Sequence, residues 1–306
     1  MYLGSVRFFK HLIICVLILI VFLLAYFIFH ILNVKVLALD EVANDVPVIT
    51  IADNPFPEIS YGNVFLSDTS ENAYLSTITD PQNKPYQLLY PDLYCLQPSE
   101  TVKSEGTVYL TFDDGPSAHT GEILDILKKN DVKATFFLVG KTDKLSKEMM
   151  KRIVDEGHTI AIHTYTHQYQ KIYSSIDAYL RDFNRIYELI YNTTGVKPDI
   201  FRFPGGSING HNENISTDLI EEMSRRGFTY YDWNVSAEDA TSSATTRSIT
   251  NNVIDEVLMN SRSIVLLHDF GTTTATLSAL DGIIKDLKDY GYKFDRLTNQ
   301  IEPINF

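Results

Sequence analysis

The longest unbroken apolar run lies near the N-terminus, where Leu12 to Phe29 reads LIICVLILIVFLLAYFIF. A run of about eighteen such residues is long enough to cross a bilayer as a helix, and it has no polar face to turn toward water. Arg7, Lys10 and His11 precede it, whereas Lys35 and then Asp40 and Glu41 follow. That charge bias predicts a cytoplasmic N-terminus and an external C-terminal body. A signal peptide cut near Val36-Leu37-Ala38 is the competing expectation, although the run exceeds the roughly 7–15 residues of a signal core.

From Thr107 onward, apolar runs of strand type alternate with amphipathic helical stretches, the pattern of an α/β fold with a parallel sheet. The predicted strands are VYLTF (108–112), ATFFLVG (134–140), HTIAI (158–162), IFRF (200–203), FTYYDW (228–233), SIVLLH (263–268) and KFDRL (293–297). Predicted helices include 121–130, 144–157, 174–192 and 277–291, several of which end in Asn or Gly. Seven strands in under 200 residues predict a distorted (β/α)7-type barrel preceded by one N-terminal transmembrane helix. An open doubly wound sheet is the alternative.

Between these parts, residues 38–100 hold ten acidic side chains against one basic residue, Lys84, with scattered prolines. The expected organisation is a cytoplasmic tip and anchor (1–37), an acidic stalk with an extended ornament (38–104) and a main α/β domain (105–306). The 306 residues carry 26 basic and 39 acidic side chains, a net charge of −13 that argues against a nucleic-acid partner. Only two cysteines occur, Cys15 within the apolar run and Cys95, which excludes a disulfide framework.

The chemically unusual residues fall at the C-terminal ends of the predicted strands, where the loops of such folds build active sites. They are Asp113-Asp114, HTYTH (163–167), RFPGGS (202–207), Glu238-Asp239 and His268-Asp269. In HTYTH the two histidines stand at i and i+4, a spacing that on a helical turn lets both face one metal. A carboxylate at the same mouth would complete a His-His-Asp set, which leaves room for water as catalytic sites do. His119, His158 and His211 are read as structural or exposed. The Asn192, Asn214 and Asn234 sequons are assigned no role.

TFDDGPS (111–117), HTYTH, RFPGGS, an acidic loop after a Trp-bearing strand, and LLHD (266–269) occur in the order and spacing of the polysaccharide deacetylases. These are the NodB-homology domains of carbohydrate esterase family 4, and the resemblance spans roughly residues 105–298. It implies a distorted (β/α) barrel and metal-dependent removal of acetyl groups from N-acetylated sugars. By the same resemblance Asp114, His163 and His167 are the expected metal ligands. Asp113 is the expected base, Arg202 its partner, and the Gly205 N–H the oxyanion donor. His268 is the expected acid, Asp239 its carboxylate partner with Asp232 as second choice, and Leu266 lines the acetyl pocket. The ion is expected to be zinc, with cobalt, nickel and iron as alternatives.

Two positions depart from the family pattern. Gly205 stands where an aromatic residue is common, and Ala240 stands where Trp commonly follows the acidic residue. Trp233, the lone tryptophan, is expected in the core. These departures bear on substrate identity more than on reaction type. The expected activity is N-deacetylation of cell-wall peptidoglycan N-acetylglucosamine by a single-pass membrane protein whose catalytic domain faces outward. Chitooligosaccharide, exopolysaccharide and acetyl-xylan are rival substrates. A non-sugar amidase and an inactive glycan-binding barrel are rival functions.

Overall fold

The computed structural model describes residues 84–270 and 274–306. The predicted anchor and the stalk as far as residue 83 lie outside the described residues. No helix among the described residues is long and apolar enough to cross a membrane.

Strand β1 (Thr107–Asp113) is buried along its whole length, as a central strand covered on both faces must be. Successive strands are β2 (Thr135–Val139), β3 (Thr159–Thr164), β4 (Ile200–Phe201), β5 (Thr229–Tyr230), β6 (Val235–Ser236), β7 (Ser263–His268) and β8 (Lys293–Asp295). All pair in parallel, in the order β5-β4-β3-β2-β1-β7-β6, with β8 joined to β1. β5 and β6 do not pair, so the sheet curves into a half-barrel.

The sequence reading had one strand at 228–233. Its backbone instead leaves the ladder after Tyr230, crosses the opening, and resumes as β6 at the other edge beside β7. Where a closing strand would be, the Asp232 N–H donates to Ile304 O at 2.8 Å. The chain's last residues thereby line the opening.

The connecting helices are α1 (Thr120–Lys129), α2 (Lys144–Asp155), the single turn α3 (Tyr169–Ile172), α4 (Ile176–Thr194), α5 (Ser216–Arg225), α6 (Thr246–Leu258) and α7 (Thr274–Asp289). Asp143 caps α2 and Ser175 caps α4 through their side chains. Gly195, at φ +77°, ends α4 in the left-handed region where glycine has no steric penalty.

Strand alternation divides the core in two. Val108, Leu110 and Phe112 face the helices, in one large cluster with Leu124, Phe136 and Leu280. Tyr109 faces the barrel interior with Phe137, Ala161, Ile200, Tyr231 and Ile264. The period of two therefore carries Thr111 and Asp113 onto the interior side as well.

The described end of the N-terminal region is clamped to α5. Arg226, fully buried, donates to the carbonyls of Tyr86, Leu89, Tyr90 and Leu93 and pairs with Glu222 at 2.6 Å. Cys95 follows immediately, and burial pushes its thiol up to about 12, which keeps it protonated and a poor metal ligand.

Candidate active site

Asp113 ends β1 directly opposite His268 on β7 and Phe137 on β2. It is 3 % exposed and faces Arg202, which is fully buried. One guanidinium nitrogen donates to Asp113 Oδ1 at 2.8 Å and to Thr111 Oγ1 at 2.7 Å. The remaining donors reach Tyr231 O and Asp232 O. The Phe137 ring supports the cation 4.3 Å away. With four acceptors and a ring around it, Arg202 is held in one orientation and fixes that of Asp113.

Asp114, the next residue, takes φ +72° and turns its carboxylate away from its neighbour. Its Oδ1 stands 3.2 Å from His167 Nε2 and 3.7 Å from His163 Nε2. The different partners explain how adjacent carboxylates coexist. His163 is tied by Nδ1 to Arg202 O at 2.8 Å. A carbonyl only accepts, so Nδ1 carries the proton and the Nε2 lone pair faces Asp114. Burial, with the neighbouring His163 next, pushes His167 below the usual histidine range, which favours the neutral ring.

This donor set fits a divalent ion. The three ligand atoms lie within 4.8 Å of one another, and Asp114 Oδ1 is buried without a hydrogen-bond partner. An orphaned buried carboxylate oxygen is costly unless a cation meets it. Ligands about 2.1 Å from a tetrahedral ion stand about 3.4 Å apart, which the 3.2 and 3.7 Å separations bracket.

HTYTH is not a helical turn. His163 lies on β3, and His167 takes φ +52° after a bend. Asp182 of α4 makes this shape. It accepts from the hydroxyl of Thr164, from Tyr165 N (2.5 Å), and from both the N–H (3.0 Å) and hydroxyl (2.6 Å) of Thr166. The sequence reading missed it because the partners stand about 16–18 positions apart and an acidic residue in an amphipathic helix looks solvated. We expect Asp182→Ala to weaken metal binding by roughly 10–100-fold, the usual consequence of losing an outer support of a ligand. Metal titration checks this, and an unchanged affinity would sink the assignment.

Other buried carboxylates hold the remaining loops. Asp269 accepts from Ser117 Oγ (2.5 Å) and Thr120 Oγ1 (2.6 Å), fixing the turn after Asp114. A Cβ at Gly115 would come within 2.4 Å of Asp269, so that turn admits only glycine. Asp232 accepts from Ser207 N, Ser207 Oγ and Phe306 N, which anchors RFPGGS.

Asp232 is therefore not the partner of His268; Asp239 is the residue in contact. Its Oδ1 lies 2.7 Å from His268 Nδ1, its Oδ2 accepts from His268 N, and Thr276 Oγ1 donates to it. Burial alone would lower the imidazole, but the Asp239 hydrogen bond and charge outweigh it, and His268 ends above the usual histidine range. The carboxylate accepts a hydrogen bond from Nδ1–H, leaving Nε2 free of it.

Leu266 is buried on β7 two residues before His268. Gly205 is exposed at φ +79°, and no hydrogen bond among the described residues takes up its N–H. Trp233 is half-buried in the crossing loop, against Phe306 (4.9 Å) and 5.6 Å from Arg202, not within the core strand expected for it. Of the histidines read as structural or exposed, His158 accepts the Ala134 N–H, and burial pushes it down to about 4.

A two-histidine, one-aspartate metal set beside an arginine-held carboxylate, at the strand ends of a parallel half-barrel, defines a metal-dependent hydrolase. A family model described as polysaccharide deacetylase matches residues 100–230. The chain is 33% identical over 210 residues to a peptidoglycan-N-acetylglucosamine deacetylase of Bacillus cereus, covering 67% of this chain and 74% of that one. It is 34% identical over 221 residues to the putative polysaccharide deacetylase YheN of Bacillus subtilis, covering 70% and 76%. The catalytic domain of a peptidoglycan N-acetylglucosamine deacetylase from Eubacterium rectale superposes with a TM-score of 0.65 at 36% identity, over 68% of this chain and 96% of that one. A carbohydrate esterase family 4 pseudoenzyme from Bacillus anthracis superposes at 0.54 with 29% identity, over 67% and 68%. The chain belongs to the polysaccharide deacetylase family.

Proposed function

We propose that this protein removes the acetyl group from N-acetylglucosamine units of cell-wall peptidoglycan, outside the cell and tethered by residues 12–29. The observation that carries the chemistry is the placement of the Asp113–Arg202 pair and the His268–Asp239 pair around the Asp114, His163 and His167 set. The tether rests on the apolar run and its flanking charges, and it limits the enzyme to glycan near its own membrane.

Asp114, His163 and His167 would hold one divalent ion, for which we propose zinc; when bound, it acts as a Lewis acid and lowers the pKa of water. Asp113 accepts the proton of the attacking water, and Arg202 keeps that carboxylate aimed. The Gly205 N–H donates to the oxygen that becomes negative as the acetamide carbon turns tetrahedral. His268, protonated and held by Asp239, gives its proton to the departing amine. Leu266 supplies an apolar surface for the acetyl methyl.

The test is acetate release from peptidoglycan, chitooligosaccharide, acetyl-xylan and a simple acetamide. We expect release from the N-acetylated glycans, highest on peptidoglycan, abolished by a chelator and restored by zinc. Protein with a full complement of metal that releases no acetate from any glycan would overturn the proposal in favour of a binding barrel.

A further inference from the structure

Gly205 leaves no side chain where it stands, yet the space above it is filled from another element. Tyr169 opens α3, two residues past His167, and its ring lies over the glycine. A Cβ at 205 would sit 2.9 Å from Tyr169 Cε1 and 3.3 Å from its hydroxyl oxygen. The positive φ and the ring together exclude any larger residue there.

The ring is half-buried and is held on several sides. It meets His167 edge-to-face at 5.3 Å and lies 4.9 Å from His211, which is exposed. Tyr173, buried 6.1 Å away, donates its hydroxyl to Pro204 O at 2.8 Å and so joins α3 to the glycine loop. Asn209 ties the same loop through Pro204 O and Gly206 O. Tyr173 thus has a structural partner for its hydroxyl, whereas no hydrogen bond among the described residues occupies that of Tyr169.

We propose that Tyr169, flanked by His211, is a specificity-determining wall of the active site against which a pyranose ring stacks. An aromatic face carries negative charge density, and the flat side of a pyranose presents polarised C–H groups to it. A rigid ring loses little conformational entropy on binding, and its free hydroxyl can bond a sugar hydroxyl. Tyr169 lies beside a metal ligand and beside the expected oxyanion donor, so a sugar stacked there has its acetamide within the catalytic group. Transferring the aromatic wall from position 205 to 169 moves it from the glycine loop to the metal-ligand loop. The inference rests on the glycan-deacetylase reading.

Its test compares wild type, Tyr169→Ala, Tyr169→Phe and His211→Ala on a tetramer of β-1,4-linked N-acetylglucosamine and on an aryl acetate that has no sugar. Tyr169→Ala is expected to raise KM for the tetramer about tenfold, with kcat, aryl acetate hydrolysis and metal content within about twofold of wild type. Tyr169→Phe is expected to keep KM within about threefold, and His211→Ala to raise it less than Tyr169→Ala does. An unchanged KM in Tyr169→Ala, or equal loss on both substrates, overturns the wall, the latter because the ring would then only support the Gly205 loop. A wild-type enzyme that hydrolyses the aryl acetate but no glycan overturns the deacetylase reading itself, and the wall with it.

Discussion

Replacing Asp113 by Asn is expected to lower acetate release by roughly 10²–10⁴-fold while leaving the metal in place, whereas Asp114→Ala is expected to release the metal. The side chains are adjacent, but their contacts differ. Asp113 Oδ1 is bound to Arg202, and Asp114 Oδ1 faces His163 and His167. Asparagine keeps the shape of Asp113 and an oxygen for Arg202, so the buried cation is not stranded; alanine there would leave it unpaired, which typically costs about 3–5 kcal/mol. Metal content by mass spectrometry and thermal unfolding with and without chelator read the outcome without using activity. A ligand that binds only the folded state raises its stability, so chelator should lower the Tm of wild type and Asp113→Asn but not of Asp114→Ala. Equal metal loss in both variants, or activity within tenfold of wild type in Asp113→Asn, would show that the two carboxylates are assigned wrongly.

The second large effect concerns His268. His268→Ala should cost roughly 10²–10⁴-fold in kcat on the amide substrate, because the amine must be protonated to leave. Less is expected on an aryl acetate, whose leaving group departs as an anion. The pH profile carries the finer test. His268 must begin protonated, so activity falls as pH rises through its pKa, and Asp239 holds that pKa up. Asp239→Asn removes the raising charge, and the falling limb of kcat/KM should move to lower pH. A limb that stays put, or moves upward, means that another group is the acid.

Much of the site was legible because its residues lie in short segments at strand ends. TFDDGPS, RFPGGS and LLHD each deliver their side chains to the mouth of the half-barrel because the strand before them ends there. Which side of the sheet Asp113 faces emerged only with the two core clusters, from which the period of two carries it to the interior. Partners from distant segments were harder to read. Asp182 and Asp232 look like ordinary helix and strand-end acids, yet they organise the HTYTH and RFPGGS loops. The helical reading of HTYTH failed for the same reason: four hydrogen bonds that the segment donates to Asp182 of α4 bend it more strongly than its own local preference does.

The amino-acid sequence by itself determined the parallel α/β class, the order of the motifs, the donor types available for a metal, and the −13 charge that argues against nucleic acid. Those properties depend on local periodicity and residue chemistry, which need no partner. Only the tertiary structure decided that the sheet stays open between β5 and β6, and that Asp239 rather than Asp232 supports His268. It also decided that Tyr169 fills the space above Gly205. Each of these depends on which atoms the packed chain brings within about 3–5 Å, and linear spacing carries no record of that distance.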